Sequence, residues 1–334
     1  MIRGAVVVGA LLLLAGCEGP QSILNPRGPA AAEVAALWWW MLAMTGIPAL
    51  LTIAFAVAAA LRRRAQALAA PDHSEHPREG RIILVLGGIV TPVILVAILV
   101  PSLLVGRSIH TMPDPVGLTI EVVGHQYWWE VRYPELGIVD ANEIHLPAGE
   151  PVAVRVRTAD VIHSFWVPNL QGKLDMMPGR TLDLWLQADE PGVFRGQCAE
   201  FCGVQHALMA FEVVAHPRED FDRWAEHARR RGAHLADDDP LADRGREVYL
   251  EARCDQCHGV QGLTRESPVV GTGPDLTLVA ARRTLGAGTL PNNRGTLQGW
   301  ILDPQPHKPG VRMPATRIPA RDMDALLAFF ESMR

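Results

Sequence analysis

One stretch of the chain concentrates metal-binding residue types: Gly196-Gln197-Cys198-Ala199-Glu200-Phe201-Cys202-Gly203-Val204-Gln205-His206-Ala207-Leu208-Met209. Soft thiolates combined with imidazoles and a weak thioether favour copper, and a distant His163 completes such a set. A loop held between strands suits electron transfer, because the strands keep the ligand geometry fixed through a redox change. One copper ion needs only one thiolate, so two cysteines with two histidines can instead bridge a pair of copper ions.

Two other arrangements would also explain Cys198 and Cys202: a disulfide in an oxidising compartment, or a zinc site with two histidines. A disulfide needs no histidines, and zinc has little use for the thioether of Met209, so the whole set favours copper. The chain has only 5 cysteines, and this small number argues against a disulfide-rich secreted scaffold.

The sequence around this loop predicts β-structure. Apolar residues alternate with polar ones at 152–156 and again at 182–186, a pattern typical of half-buried strands. Short strand candidates separated by Pro, Gly, Asp and Asn turns recur between residues 118 and 214. We therefore predict an all-β Greek-key sandwich or barrel over residues 112–216.

Two apolar segments precede this domain, at about residues 37–61 and 82–105. Each is long enough to cross a hydrocarbon core of roughly 30 Å at about 1.5 Å per residue. Their short connection is rich in arginine, which the positive-inside rule assigns to the cytoplasm. Residues 32–106 are thus predicted to form a transmembrane hairpin with both flanks outside.

Residues 1–17 have the basic start and short apolar core of a secretory signal. The segment closes with Leu14-Ala15-Gly16-Cys17, which resembles a bacterial lipobox and predicts lipidation of Cys17. An ordinary signal peptide with an incidental cysteine is the alternative.

A second redox motif follows a helix and solvated linker at residues 217–240. Its sequence, Cys254-Asp255-Gln256-Cys257-His258, is the attachment motif for haem c, in which two thiols add to the haem vinyl groups and the histidine binds iron. Met313 is the predicted sixth ligand and His307 the second choice, whereas Met323 and Met333 belong to the packing of an amphipathic final helix. Residues 241–334 are predicted to form this mostly helical domain.

Residues from about 32 to 224 resemble cytochrome c oxidase subunit II, a two-helix anchor followed by a cupredoxin domain. The resemblance rests on the Cys198–Met209 motif, on Val161–Pro168 and on Met177–Arg180. It implies a binuclear copper A centre, with the two cysteines bridging, two histidines as terminal ligands, a weakly bound methionine and one backbone carbonyl: Cys198, Cys202, His163, His206, Met209 and Glu200. It also implies that the Glu200 carboxylate helps to hold a magnesium ion shared with the catalytic subunit.

Residues 241–334 are similar to class I cytochrome c domains, including Gly273-Pro274-Asp275-Leu276. The predicted fold is therefore a multidomain membrane protein: a transmembrane hairpin, an all-β cupredoxin domain and an all-α cytochrome c domain. One departure from the family concerns electron entry. The family receives electrons through a tryptophan, but Tyr127 occupies that position here and is followed by Trp128. We assign electron input to these two rings, with core packing as the alternative. Glu79 matches more weakly a family glutamate at the mouth of a proton channel.

These parts predict the subunit at which electrons enter a terminal oxidase of a bacterial cytoplasmic membrane, with its soluble domains on the periplasmic face. Electrons from cytochrome c or another external donor pass through haem c and copper to a separate catalytic subunit I, which reduces oxygen to water with proton translocation. Subunit III and membrane lipid are the other expected partners. A nitric oxide reductase subunit and a copper-handling lipoprotein are the alternatives, and the latter leaves the haem motif unexplained. The net charge of -5 without a basic stripe gives no indication of nucleic-acid binding.

Overall fold

The computed structural model describes residues 19–65, 77–231, 239–264 and 273–333. The predicted signal peptide, Cys17 and most of the predicted linker lie outside the described residues. The chain divides into two compact units, one of Ala32–Thr111 and one that combines Met1–Ala31 with Met112–Arg334.

The smaller unit is helical. Helix α1 (Pro29–Ala65), helix α2 (Pro77–Val85), a π-helical turn (Leu86–Val90) and helix α3 (Thr91–His110) follow one another. They contain two apolar stretches, Pro29–Arg62 and Gly80–His110, with mean hydropathies of 2.0 and 3.0 and lengths sufficient to cross a membrane. The Trp40 indole donates a hydrogen bond of 2.9 Å to the Ala97 carbonyl, which joins the two stretches. The expected pair of apolar helices is confirmed.

The copper-type domain is built from ten strands in two sheets of five. The strands are β1 (Thr119–His125), β2 (Trp128–Tyr133), β3 (Ile138–Ala141), β4 (Glu143–Pro147), β5 (Val152–Thr158), β6 (His163–Trp166), β7 (Leu174–Met176), β8 (Leu182–Leu186), β9 (Gly192–Cys198) and β10 (Ala210–His216). One sheet has the order β3-β2-β1-β5-β8 and the other β4-β10-β9-β6-β7. The β1–β5 and β4–β10 pairs are parallel and the remaining pairs antiparallel, so the chain crosses between the sheets as the cupredoxin prediction requires.

The two sheets enclose an aromatic core. Trp129, Phe165 and Phe211 are fully buried, with ring centroids 5.1 Å apart for Trp129–Phe211 and 4.8 Å for Phe165–Phe211. A Cβ atom on Gly196 would lie 2.2 Å from the ring of Phe211, so strand β9 carries glycine where that ring crosses it. This rigid core lies under the strand ends that carry the predicted ligands.

Helix α4 (Arg218–Arg231) follows β10 and packs Trp224 against Tyr133 and His145 of the sandwich. The third domain then comprises α5 (Pro240–Glu251), the short hairpin β11 (Thr284–Leu285) and β12 (Leu290–Pro291), α6 (Arg294–Leu302) and α7 (Ala320–Ser332). Gly245 lets α5 and α7 cross closely, since a Cβ there would lie 2.0 Å from the Ala325 carbonyl oxygen. The expected helical cytochrome c domain is confirmed.

Candidate metal and haem sites

Strand pairing brings the predicted copper ligands together. Cys198 ends β9, and its amide donates 2.9 Å to the Met209 carbonyl just before β10. The register of β6 with β9 pairs Phe165 with Cys198, which places His163 beside the same cysteine. Residues far apart in the chain thus converge because they occupy neighbouring strand ends.

The donor atoms lie at similar separations. Cys198 Sγ is 3.8 Å from Cys202 Sγ and 3.8 Å from His163 Nδ1. Cys202 Sγ is in turn 3.8 Å from His206 Nδ1 and 3.8 Å from Met209 Sδ. Spacings of this size leave room for metal between the donors. The two sulfurs are much farther apart than the roughly 2.05 Å of a disulfide bond, so the structure contains two separate thiols.

Glu200 contributes through its backbone. Its carbonyl oxygen lies 3.2 Å from Cys198 Sγ, whereas its side chain is exposed. The predicted carbonyl ligand is therefore adjacent to the thiol pair, and the magnesium role of the carboxylate stays a prediction. Two thiols, two imidazole nitrogens, a thioether and a carbonyl form a mostly soft donor set that fits copper.

Hydrogen bonding fixes the orientation of His163, which is fully buried. Its Nε2 lies 2.8 Å from Asp160 Oδ1, so Nε2 carries the proton and Nδ1 faces Cys198 with its lone pair. Burial lowers the pKa of His163, but the bonds to Asp160 and Cys198 outweigh burial and the net shift is upward. A Cβ on Gly124 would lie 2.9 Å from this ring, so the glycine makes room for it.

The contact between the two thiols shifts their pKa values in opposite directions. The contact with Cys202 lowers the pKa of Cys198, against the opposing effect of burial and with help from His163. The same contact raises the pKa of Cys202 well above its ordinary value. The contact therefore favours the thiolate form of Cys198, and the thiolate is the form of cysteine that binds metal.

The haem motif forms a short 3₁₀ turn, Cys254–Gln256, directly after α5. It borders a cavity of about 350 Å³ lined largely by apolar residues. His258 Nδ1 lies 2.7 Å from the Pro274 carbonyl and donates to it, which leaves Nε2 for iron. A Cβ on Gly273 would lie 2.7 Å from the His258 ring, so this glycine is required beside the ligand. The two thiols, the oriented imidazole and the apolar cavity fit a haem group.

The candidates for the sixth ligand occupy different positions. Met313 lines the cavity together with Cys254, Cys257 and His258. Met323 and Met333 are buried among the packed helices, and His307 is exposed. Among the described residues that line this cavity, Met313 is present, whereas Met323 and Met333 are not.

Part of the cavity wall comes from the copper-type domain: Gln126, Tyr127, Trp128, Asn142 and Gln205. The two rings predicted for electron input therefore face the haem site. Trp128 is half-buried and stacks on His125 with centroids 4.4 Å apart, whereas Trp129 belongs to the core. The hydroxyl of Tyr127 contacts the copper loop at Gly203, where a Cβ would lie 2.4 Å from it, and φ there is +128°.

The structure does not describe the side chains of two residues with predicted roles, Cys17 in lipidation and Glu79 at a proton channel. Cys17 lies outside the described residues, and Glu79 lies in α2 but its side chain is also outside them. Both roles stay predictions.

Sequence reasoning missed several residues that the site uses. Asp160 precedes His163 by three positions, and Gln126 donates 2.7 Å from Nε2 to the Cys202 carbonyl. Arg282 and Lys308 lie buried where the two soluble domains meet. The near absence of lysine from the chain was the one available signal for Lys308, since Lys173 is its only counterpart.

A cupredoxin domain with a thiolate, imidazole and thioether set, joined to a cytochrome c domain and two apolar helices, defines a membrane-anchored electron-transfer protein of the copper–haem class. The profile described as "Cytochrome C oxidase subunit II, periplasmic domain" matches residues 138–216, and that of "Cytochrome c" matches residues 242–334.

The chain is also similar to individual curated proteins and to a solved structure. A "Cytochrome c oxidase subunit 2" of Alkalihalophilus pseudofirmus is 37% identical over 340 residues, which cover 97% of this chain and 94% of the relative. One from Bacillus sp. strain PS3 is 33% identical, covering 73% of this chain and 72% of the relative. The crystal structure of the periplasmic domain of subunit II of cytochrome oxidase of Bradyrhizobium japonicum is 32% identical, covers 36% of this chain and 98% of that one, and has a TM-score of 0.35.

The chain belongs to the cytochrome c oxidase subunit II family. It is an oxidoreductase subunit through which electrons enter a haem–copper oxidase. Copper and haem are its cofactors by family, and a catalytic subunit is its partner.

Proposed function

We propose that electrons travel within this one chain, from a covalently bound haem c to a binuclear copper A centre, and then to catalytic subunit I. The observation that carries this proposal is the shared cavity wall. Tyr127 and Gln205 of the copper domain line the same cavity as the haem motif, and Gln205 directly precedes the predicted ligand His206. The predicted copper loop and the haem motif therefore adjoin.

Each set of side chains has a defined task. Cys198 and Cys202 would bridge the coppers, His163 and His206 would be terminal ligands, and Met209 with the Glu200 carbonyl would complete the shell. Sharing one added electron between two ions keeps ligand movement small, while thioether ligation of haem stabilises ferrous iron and raises its potential.

The haem would be attached through Cys254 and Cys257, with His258 and Met313 as axial ligands. Burial lowers the pKa of His258 despite the bond to the Pro274 carbonyl, which favours the neutral imidazole that can bind iron. Burial likewise raises the pKa of Cys254 to about 11.

The wider assembly follows from the family. Cytochrome c or another external donor would reduce the haem, and subunit I, with subunit III, would reduce oxygen and translocate protons. The soluble domains would lie on the periplasmic side of a bacterial cytoplasmic membrane, held there by the two apolar helices and by lipid on Cys17. Glu200 would share a magnesium ion with subunit I, and Glu79 would lie at a proton-channel mouth.

Exchange of each predicted thioether ligand tests the two sites separately. In the purified complex we expect Met209→Leu to change the optical and paramagnetic spectra of copper and to leave those of haem unchanged. Met313→Leu should do the reverse, because leucine offers no donor atom. Met323→Leu is the matched control, since Met323 is buried in helix packing and should leave both spectra as they are.

Oxygen uptake with a reduced donor should fall in both ligand variants and persist in the control. Silent spectra in both Met209→Leu and Met313→Leu would overturn the ligand assignments. Wild-type complex with exchangeable single copper and no covalent haem would overturn the proposed function.

A further inference from the structure

The haem domain meets the copper domain through a buried ion pair. Arg282 Nε lies 2.8 Å from Asp140 Oδ1 at the end of β3, and the two side chains are 4% and 3% exposed. The same guanidinium donates 2.5 Å from Nη2 to the Asp275 carbonyl, next to Pro274, which holds the haem ligand His258. Removing two charges from water is costly unless their geometry is well matched, so this pair has a preferred arrangement.

The next two residues of the haem domain extend this contact along the edge of the other sheet. Glu143 of β4 accepts hydrogen bonds from the backbone amides of Arg283 and Thr284, the latter at 3.3 Å. The Arg283 side chain pairs with Glu212 of β10 at 2.8 Å. Three consecutive haem-domain residues thus contact three acidic residues on β3, β4 and β10.

A second set of contacts lies around the cavity at Lys308, which is 2% exposed. Its Nζ donates to the carbonyls of Tyr127 and Gly286, at 2.9 and 3.0 Å, one from each domain. In the opposite direction, Gln205 Nε2 donates 2.8 Å to the Pro309 carbonyl. Burial lowers the pKa of Lys308 to about 7, which reflects how completely the docked domains remove this ammonium from water.

The backbone also joins the domains beside the copper ligands. The Ala210 amide, directly after Met209, donates 3.1 Å to the Ala287 carbonyl. A transient electron-transfer complex uses a small, hydrated contact. Here charged groups are buried and carbonyls are bonded across the junction, which restricts the relative orientation of the two domains.

We propose that the Arg282–Thr284 segment and Lys308 form a two-sided clamp that holds the haem domain in one orientation on the copper domain. Asp140, Glu143 and Lys308 are then positioning residues for haem-to-copper electron transfer, although they belong to neither ligand set. This inference rests on the proposed function. It follows that an external donor must dock on the haem domain, because the haem domain already occupies the Tyr127–Trp128 face.

The test is the intramolecular electron-transfer rate in the full oxidase complex. A photoreductant delivers one electron to haem c in a flash, and the absorbance of each centre is then followed. Asp140→Asn leaves the Arg282 charge buried without its partner, and we expect the rate to fall at least about tenfold, since loss of positioning is costly. Copper and haem contents and equilibrium spectra should stay those of wild type.

Glu150→Gln is the matched control on the same domain, because Glu150 forms an exposed ion pair with Arg218 and should not change the rate. Asp140→Asn combined with Lys308→Met removes one contact from each side of the clamp and should slow transfer further. If Asp140→Asn fails to assemble, the pair Asp140→Asn with Arg282→Gln removes both charges and leaves neither unpaired.

A wild-type rate in the Asp140→Asn/Lys308→Met variant, with both spectra intact, would overturn the clamp. That result is distinct from failure of the proposed function, which would appear as absent copper or haem spectra in the wild-type protein.

Discussion

Two of the predicted ligand histidines, His163 and His258, are oriented through opposite ring nitrogens. His163 uses Nε2 to bind the Asp160 carboxylate and presents Nδ1 to the thiols, whereas His258 uses Nδ1 to bind the Pro274 carbonyl and leaves Nε2 for iron. The first acceptor carries a charge and the second does not. The pKa of His163 is accordingly raised and that of His258 lowered, although burial acts to lower both.

This difference reflects how each site is assembled. The copper site joins side chains from neighbouring strand ends, and a charged partner can fix a ring there because Asp160 is partly exposed to water. The haem site places its histidine in an apolar cavity, where a neutral carbonyl orients the ring without a second buried charge. The two histidines should therefore respond differently to changes in the groups that hold them.

The largest effect should come from Gly273→Ala on the haem side. The new Cβ would meet His258 Cε1 at 2.7 Å and the Cys257 carbonyl oxygen at 2.9 Å, and the main chain cannot yield easily. Overpacking of this kind costs about 1 to 3 kcal/mol, and here it displaces His258, the predicted haem ligand. We expect the low-spin haem spectrum to be lost in most of the protein while the copper spectrum persists.

Gly295→Ala is the control, because Gly295 lies near the start of α6 and its Cβ would make only an ordinary contact with Asn293. A normal haem spectrum in Gly273→Ala would show that the ring position does not depend on this close approach.

A smaller effect is expected from Asp160→Asn on the copper side. The asparagine side-chain oxygen can still accept a hydrogen bond from the Nε2–H of His163, but the carboxylate charge that supports His163 is removed. Partners of this type typically contribute about 10- to 100-fold to metal affinity or activity. The affinity for copper, measured by competition with a chelator, should therefore decrease about 10- to 100-fold, and the haem spectra should stay unchanged.

Asp183→Asn removes an exposed carboxylate of the same domain and should retain copper like wild type. If Asp160→Asn and Asp183→Asn retain copper equally well, the charge of Asp160 does not contribute to copper affinity. His163 and His258 would then differ only in the geometry of their hydrogen bonds.

The smallest effect should follow Tyr249→Phe. The buried Tyr249 hydroxyl donates a hydrogen bond of 2.6 Å to the backbone carbonyl of His258, so it supports this predicted haem ligand indirectly. Loss of one such bond costs about 1 kcal/mol, and we expect a correspondingly lower midpoint for chemical unfolding of the haem domain, followed by haem absorbance.

Tyr133→Phe gives the matching change in the copper domain, where the Tyr133 hydroxyl bonds the backbone of His145. Tyr133→Phe should leave the midpoint for unfolding of the haem domain unchanged. An unchanged haem transition in Tyr249→Phe as well would mean that the Tyr249 hydroxyl does not stabilise the haem domain.

Local motifs were sufficient to predict much of this molecule. The Cys198–Met209 spacing predicted one ligand cluster, and the structure places Cys202 Sγ 3.8 Å from each of Cys198 Sγ, His206 Nδ1 and Met209 Sδ. The apolar lengths predicted two helices, and strand alternation predicted the sandwich. His163 was proposed as the distant member of this set and the family resemblance supported that choice, but nothing local in the sequence indicates that β6 pairs with β9.

Short stretches of the sequence determine the residue types of both redox sites and the order of the three structural parts. This is because loop ligands, haem attachment and apolar spans each depend on neighbouring residues. Which nitrogen of each histidine is free, and how the haem domain lies on the copper domain, depend on contacts such as Arg282–Asp140. These groups are 142 residues apart, and a single charged residue carries no periodic pattern that reveals its partner. Only the folded chain brings such surfaces together, since burial and hydrogen bonding select the pair from many chemically equal choices.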